Sequence, residues 1–422
     1  MKQLFDISAD FSFYLVLAFL FLVNISIAGC YVLFTLLLIQ LVIFVARHLK
    51  SKISRDTAAV IPPWPQMPKF YKYFLLYILF SFISTLFSID RFNSLEDNKE
   101  FFVFLLVPVF LLAINSRKRL DYSLFTVLAS TVVSSLIGVI ITLKQGISLD
   151  HRLKGLTSHW MTYSGLLMLV FIFFFVFLFY EKRKKQKVII SIFLLIILVS
   201  ILLSLTRAMW VGIFVSLGIF IIYYKPKILY LVLPALLILI LVLPGSVKSR
   251  IVSTFDMNNA TNRDRLYMVT AGINIFKDHP LTGVGPDNVK KIYDRYKPAG
   301  AELSNPHLHN NFLQVLAERG ILALLSLIAA FVVIIIQLIK KIKNSSDVEK
   351  SIPVGVLFVF IGFLVAGMFE YNLGDSEIKF LLFYFLSIPF FIPPVYSASS
   401  ASSAFSAVNS PKVKIHDKIE KS

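Results

Sequence analysis

Long apolar runs alternate with short polar connections along most of the chain. The first run, residues 11–46, is long enough for two helical crossings with a turn near 24–29. Ten further apolar runs follow at 70–88, 101–114, 122–143, 162–180, 188–205, 208–223, 228–244, 318–339, 352–371 and 378–396. The pattern predicts an all-α polytopic membrane protein with about 12 transmembrane helices.

Composition supports this prediction, because 57% of the 422 residues are hydrophobic. Soluble domains have about 45–50% apolar residues even with glycine counted. The single cysteine, Cys30, can form no internal disulfide, so a secreted disulfide scaffold is excluded together with a soluble enzyme. The net charge of +18 lies mostly in short clusters between apolar runs. Such clusters orient a chain in a membrane, and no nucleic-acid partner is predicted.

Basic residues concentrate in alternate connections between the predicted spans. The rich connections are 47–55, 117–119, 182–187, 225–227 and 340–343. By the positive-inside rule these face the cytoplasm, which places both termini there. Residues 1–396 then form the integral membrane domain, and the Ser/Ala-rich segment 397–422 is predicted to be a disordered cytoplasmic tail.

One long connection, residues 245–318 between predicted helices 9 and 10, faces the opposite side. Apolar residues at helical spacing predict a helix from about Thr261 to the His279–Pro280 pair. A second short helix is predicted at 290–296, and a third begins at His309. The Gly283–Pro286 turn ends the first of these helices and is not a nucleotide-binding loop, since no strand precedes it.

Three arginines are candidates for anion binding. Arg207 interrupts a long apolar stretch with no acidic residue in it, which favours either an anion site or a membrane anchor. Arg263 and Arg265 lie at the start of the first loop helix, where guanidinium groups and helix N-termini both suit phosphate. The alternative for this pair is an ordinary solvated surface.

His307 and His309 belong to the densest polar cluster of the loop. A histidine near its normal pKa suits general-base catalysis at neutral pH, whereas capping or packing is the structural alternative. No third ligand lies at a familiar spacing, so no metal is predicted. We expect His307 to point to a different side of the chain from His309.

The loop motifs resemble the shared domain of bacterial O-antigen ligases and O-antigen polymerases. The resemblance rests on Arg265-Leu266, on the segment from Asp278 to Pro286 and on the segment from His309 to Gly320, and it covers roughly residues 188–339. It implies a lipid-linked-saccharide glycosyltransferase of the inner membrane, with its active site on the periplasmic face. It also implies that 245–318 is a periplasmic catalytic loop.

The resemblance further implies roles for single residues. Arg207 and Arg265 would hold the diphosphate of an undecaprenyl-diphosphate-linked glycan donor. His309 would take the proton of the acceptor, a sugar hydroxyl of lipid A-core, in an inverting reaction without metal or other cofactor. Further candidates for an accessory role are Arg152, Lys154, His159, Arg263, His307 and Glu318.

Two alternatives remain open from the sequence. An O-antigen polymerase, or a relative that glycosylates a protein or another envelope polymer, would share the donor chemistry and differ in its acceptor. A membrane transporter or flippase would be expected to carry ionisable residues near mid-membrane or a paired-half repeat. The unusual polar residues instead collect at one membrane face and in one loop, which favours the ligase.

Overall fold

The computed structural model describes residues 2–54, 64–256, 258–346 and 349–391, and this part of the chain contains helices and connections but no strand. The all-α prediction is therefore confirmed for the described residues. The predicted tail at 397–422 lies outside them.

The described chain forms sixteen α-helices, which carry their numbers throughout. The first eight are α1 (Lys2–Leu22), α2 (Ile27–Ser54), α3 (Phe70–Leu86), α4 (Arg91–Asp97), α5 (Leu106–Ala113), α6 (Arg117–Gln145), α7 (Trp160–Leu178) and α8 (Lys184–Leu203). The others are α9 (Arg207–Tyr224), α10 (Leu229–Val242), α11 (Gly245–Phe255), α12 (Ala260–Asp278), α13 (Val289–Tyr296), α14 (Asn311–Asn344), α15 (Ser351–Ala366) and α16 (Ser376–Ser387). Short 3₁₀ helices occupy Asn98–Leu105, Pro226–Ile228 and Ile388–Phe390.

Six described helices are long and apolar enough to cross a membrane. They include most of α2 and the whole of α6, α7, α8, α9 and α14, and three shorter apolar helices lie at Asp10–Leu22, Phe70–Leu86 and Ser351–Ala366. The chain is a multi-pass membrane protein. The run at 101–114 is divided between a 3₁₀ helix and the short α5, so length alone does not assign it a crossing. The count of about 12 spans stays a prediction.

Helix α7 forms the centre of the bundle. In its most apolar 18-residue window 78% of residues are buried, compared with 22% in α2, so α2 presents most of its surface to the outside of the bundle. Gly212 of α9 lies where that helix meets α7 and α15. A Cβ on Gly212 would lie 2.8 Å from Sδ of Met168 in α7 and 2.9 Å from the carbonyl oxygen of Gly362 in α15. Small residues at such crossings let membrane helices pack backbone to backbone.

The long connection forms a helical layer on the bundle. Helices α12 and α13 begin and end within about one residue of the predicted positions, and a buried cluster that includes Met268, Ile275 and Ile292 joins them. The third predicted helix begins at Asn311 and not at His309. The Asn310 side chain accepts hydrogen bonds from the backbone N–H groups of the first turn, which makes Asn310 the N-cap and leaves His309 outside the helix.

A break in α14 docks this layer on the membrane helices. Gly320 has φ 75°, and a Cβ there would lie 2.1 Å from the Leu281 carbonyl oxygen, so only glycine fits. The Ile321 N–H donates to the Pro280 carbonyl (3.0 Å), and the Val284 N–H donates to the Ala317 carbonyl (3.0 Å). The predicted 283–286 turn is thereby held against α14.

The two ends of the bundle differ in charge. The Phe70 N–H donates to Gln337 Oε1 (3.0 Å), which places the start of α3 beside the basic end of α14 at Lys340–Lys343. Just beyond the other end of α3, the Ile89 N–H donates to the Val284 carbonyl (3.2 Å) of the docked turn. The docked turn and this basic cluster therefore lie at opposite ends of α3.

Topology reporters test the orientation directly. Fusions at Lys184 and Lys343 should be active as cytoplasmic reporters, and fusions near Asn259 should be active as periplasmic reporters, because basic connections stay in the cytoplasm. Paired alkaline phosphatase and fluorescent-protein fusions give the measurement. A periplasmic signal at Lys184 would contradict the orientation.

Candidate functional site

A histidine–carboxylate pair lies under the helical layer. His309 Nδ1 is 2.8 Å from Glu370 Oε1, and the side chains are 18% and 6% exposed. Glu370 lies in the connection between α15 and α16. Burial acts to raise the pKa of Glu370, but the hydrogen bond with His309 and positive side chains, Arg265 among them, leave that pKa below its ordinary value. Glu370 is therefore a carboxylate at neutral pH.

Backbone and amide hydrogen bonds hold the two members of the pair together. The Asn311 N–H donates to the Gly367 carbonyl (2.7 Å), and the Leu373 N–H donates to Asn311 Oδ1 (3.0 Å). The Asn310 side-chain amide donates to the Met368 carbonyl (2.9 Å). These bonds join the start of α14 to the connection on both sides of the carboxylate, which fixes the histidine against it.

His307 joins the same cluster, and the expectation that it points away from His309 is wrong. The two imidazole rings are 4.2 Å apart between centroids and nearly perpendicular. His309 has φ 46°, and this left-handed residue turns the chain so that both rings face one side. Burial and the neighbouring His309 lower the pKa of His307 to about 4, so His307 is neutral at physiological pH.

Three side chains at this position could hold a metal ion. His307, His309 and Glu370 each offer a ligand atom, and these atoms lie within 4.8 Å of one another. Three protein ligands are the number that catalytic zinc sites use. The third ligand could not be found by motif spacing, because Glu370 follows His309 by 61 residues. The same three groups can instead hold and move a proton.

A cluster of guanidinium groups lies beside this pair, and we refer to Arg152, Arg207, Arg250 and Arg265 as the arginine cluster. Arg207 begins α9 and is 4% exposed. Its guanidinium donates to the Ser253 carbonyl (2.7 Å) and to Thr261 Oγ1 (2.7 Å), which ties the end of a span to α11 and α12. Arg250 Nε donates to the Leu205 carbonyl (3.2 Å).

The arginine cluster carries positive charge without matching carboxylates. Burial, together with the charges of Arg207, Arg152 and Arg265, lowers the pKa of Arg250 to about 10. Burial also lowers the pKa of Arg265, against the opposing effect of Glu370 and Asp264. Within the described ranges none of the four arginines forms an ion pair. Partly buried guanidinium groups that form no ion pair are suited to a polyanion such as a diphosphate.

The remaining predicted residues divide between the site and the surface. His159 stacks on Trp160 with ring centroids 4.1 Å apart, and the Arg152 guanidinium lies 4.9 Å from the centre of the Trp160 ring. Glu318 is 3% exposed and lines a cavity that also reaches His307 and Glu370. Lys154 and Arg263 are exposed.

Two residues of the site were missed by the sequence analysis. Glu370 lies within an apolar run, at 352–371, where an unpaired acid is itself a signal. Arg250 lies close to Lys248 in the short helix α11. From the sequence, its positive charge could not be distinguished from that of lysines at the membrane interface.

Comparison with known families identifies the segment that contains most of this site. Residues 192–328 match the family model described as O-antigen ligase. This segment is similar to the O-antigen ligase family, whose members are membrane glycosyltransferase-like enzymes. Arg207, Arg250, Arg265 and the two histidines lie inside the matched segment, whereas Arg152 and Glu370 lie outside it. A comparison with curated proteins found no match.

We predict that Glu370 acts by positioning His309. Glu370→Gln keeps the size of the side chain but removes the carboxylate that fixes the Nδ1–H form of the imidazole, so kcat should fall by about 100-fold or more with little change in donor KM. Glycosyl transfer by purified protein measures both constants, and the ¹⁵N spectrum of labelled histidine reports the tautomer.

Glu302→Gln, which removes an exposed carboxylate from the same side of the bundle, provides the control. An unchanged tautomer and an unchanged kcat in Glu370→Gln would show that the carboxylate has no positioning role.

Proposed function

We propose that this protein is an O-antigen ligase that transfers a glycan from undecaprenyl diphosphate to a hydroxyl of lipid A-core at the periplasmic face of the inner membrane. The observation that carries the proposal is that the arginine cluster and the histidine–carboxylate pair are close enough for Arg265 to act on Glu370. The arginine cluster suits a diphosphate, and Arg265 is close enough to Glu370 to affect its pKa. The Glu370–His309 pair suits proton removal.

The position of the arginine cluster fits a lipid-linked donor. Arg207 is the first residue of a helix long enough to span the membrane, and its guanidinium is bonded to the helical layer outside. A diphosphate attached to a membrane lipid lies at the height of the headgroups, which is the height at which spans end. The donor can therefore reach the arginines with its lipid still in the bilayer.

The reaction follows from the charges of the two groups. As the bond between the anomeric carbon and the diphosphate oxygen breaks, the electron pair passes to the diphosphate, and the guanidinium groups stabilise the developing charge. The acceptor hydroxyl attacks the opposite face of that carbon and loses its proton, which gives inversion. Because Nδ1 of His309 is bonded to the Glu370 carboxylate at 2.8 Å, Nε2 is the atom that takes this proton.

The same geometry favours a metal-independent mechanism. His309 Nδ1 and Glu370 Oε1 already bond each other at 2.8 Å, and a metal ion that bound both of these atoms would break this bond. The arginine cluster supplies the positive charge that a divalent ion provides in other diphosphate sites. In this proposal His307, His309 and Glu370 hold a proton, and activity survives a chelator.

Transfer by the reconstituted protein tests the proposal. Purified protein in lipid nanodiscs, with donor and lipid A-core and no ion gradient, should attach the glycan to lipid A-core. His309→Ala should lower turnover by about 100-fold to 10,000-fold, the usual contribution of a general base, and should leave donor binding intact.

His307→Ala is the matched control, because it removes a neighbouring imidazole that is not bonded to Glu370, and its effect should be milder. Equal losses in the two variants would reject His309 as the base. A product in which repeats are added to another lipid-linked glycan would instead assign a polymerase, and the absence of any transfer would favour a transporter.

A further inference from the structure

A polar cavity of about 530 Å³ opens beside the histidine–carboxylate pair. This volume lies within the range of about 300–1,000 Å³ that is typical of small-molecule sites. Seven of the lining residues are acidic, and His159 and His307 also contribute to the wall. An acid-rich wall alone does not define a ligand. What the cavity can bind depends on whether each carboxyl group is paired with a cation, protonated or free.

Several of these carboxylates are already neutralised by buried or neighbouring cations. Arg319 is 1% exposed and donates to Asp97 (2.9 Å) and Glu100 (2.6 Å). Lys379 donates to the other oxygen of Glu100 (2.6 Å). A salt bridge joins Lys290 to Asp287. Their charges are therefore not available to bind a free cation.

Three further acids in the wall, Glu318, Asp375 and Glu377, form no ion pair among the residues that the structure describes. Burial raises the pKa of Asp375 to about 7, and the charges of Glu370 and Glu377 add to the effect. Near neutral pH this carboxyl is therefore protonated in part of the molecules. A carboxyl that exchanges a proton can both donate and accept a hydrogen bond.

Two buried atoms of the wall residues, Glu370 Oε2 and His307 Nδ1, have no hydrogen-bond partner among the described residues. Glu370 is 4% exposed, and its Oε2, the oxygen that does not bind His309, has no hydrogen-bond partner among the described residues. A buried carboxylate oxygen without a donor costs free energy, so this position favours a ligand that brings a hydroxyl or amide hydrogen. The negative charge of the Glu370 carboxylate disfavours an anionic ligand at this position.

We propose that this cavity binds an uncharged, polyhydroxylated sugar of the acceptor. The inference rests on the proposed function and specifies its substrate class. Sugar hydroxyls both donate and accept hydrogen bonds, which matches a wall of neutralised and exchangeable carboxyls. The cavity adjoins His309 on the side of Glu370 and His307, so a sugar held there presents a hydroxyl to the base while the diphosphate remains at the arginine cluster.

Two substitutions in one loop test the cavity. Ser158 lines the cavity and is exposed, whereas Leu156 is 37% exposed on the same loop and does not line it. Ser158→Trp should fill the entrance and weaken the binding of core oligosaccharide released from lipid A by at least about tenfold, or 1.4 kcal/mol. Leu156→Trp should bind as the wild type does. Ligand-observed NMR with the donor absent measures this affinity.

Charge selectivity gives a second, independent readout. Wild-type protein should bind an oligosaccharide built only from uncharged sugars more tightly than the same oligosaccharide with a phosphate on its terminal sugar. Ser158→Lys adds a cation to the wall and should reduce or reverse that preference. Equal affinity of the wild type for both oligosaccharides would overturn the proposal.

The outcomes of these experiments distinguish a failure of this inference from a failure of the proposed function. Equal binding of the oligosaccharide by Ser158→Trp and Leu156→Trp would show that the cavity is not the acceptor site, even if transfer occurs. The same conclusion would follow if Ser158→Trp raised the KM of the donor and not that of the acceptor. If the oligosaccharide binds as expected but no variant and no wild-type protein transfers a glycan, the proposed function fails and the cavity remains a sugar site.

Discussion

The buried carboxylate of Glu370 constrains the whole site. A carboxylate on a side chain that is 6% exposed is costly unless hydrogen bonds and positive charge compensate it. The compensation comes from His309 at 2.8 Å and from the charge of Arg265. His309 and Arg265 must therefore both lie near the Glu370 carboxylate. This requirement brings together the connection between α15 and α16, the start of α14 and helix α12.

Rigid attachment of the loop maintains this arrangement. The break at Gly320 accepts the 280–285 turn, and the bonds of Asn310 and Asn311 fix the start of α14 to the connection that carries the carboxylate. The site is thus built from three segments that are far apart in sequence: the connection that carries Glu370, the start of α14 and helix α12. Such a preorganised site suits a reaction whose catalysis depends on fixed charges.

Local features of the fold were predictable from the sequence, and features that depend on tertiary packing were not. Helices α12 and α13 were located within about one residue, because apolar spacing and a proline mark their ends. Arg207, Arg265 and His309 were candidates from charge, position and residue type, and the family resemblance then suggested a role for each. Glu370 was missed because its importance arises only from a contact 61 residues away in sequence. The predicted direction of His307 was wrong because His309 lies outside α14 and adopts φ 46°, which brings the two rings to one side.

Binding of the lipid diphosphate tests the central claim most directly. Arg265 and Arg263 lie two residues apart on α12. Arg265 belongs to the arginine cluster, whereas Arg263 is exposed. Arg265→Gln and Arg263→Gln therefore remove the same charge from different environments. The account predicts that Arg265→Gln weakens binding of undecaprenyl diphosphate to the purified protein by at least about tenfold, as expected for a charged hydrogen bond. Arg263→Gln should leave the affinity near that of the wild type. Equal affinities in the two variants would contradict a diphosphate site at the arginine cluster.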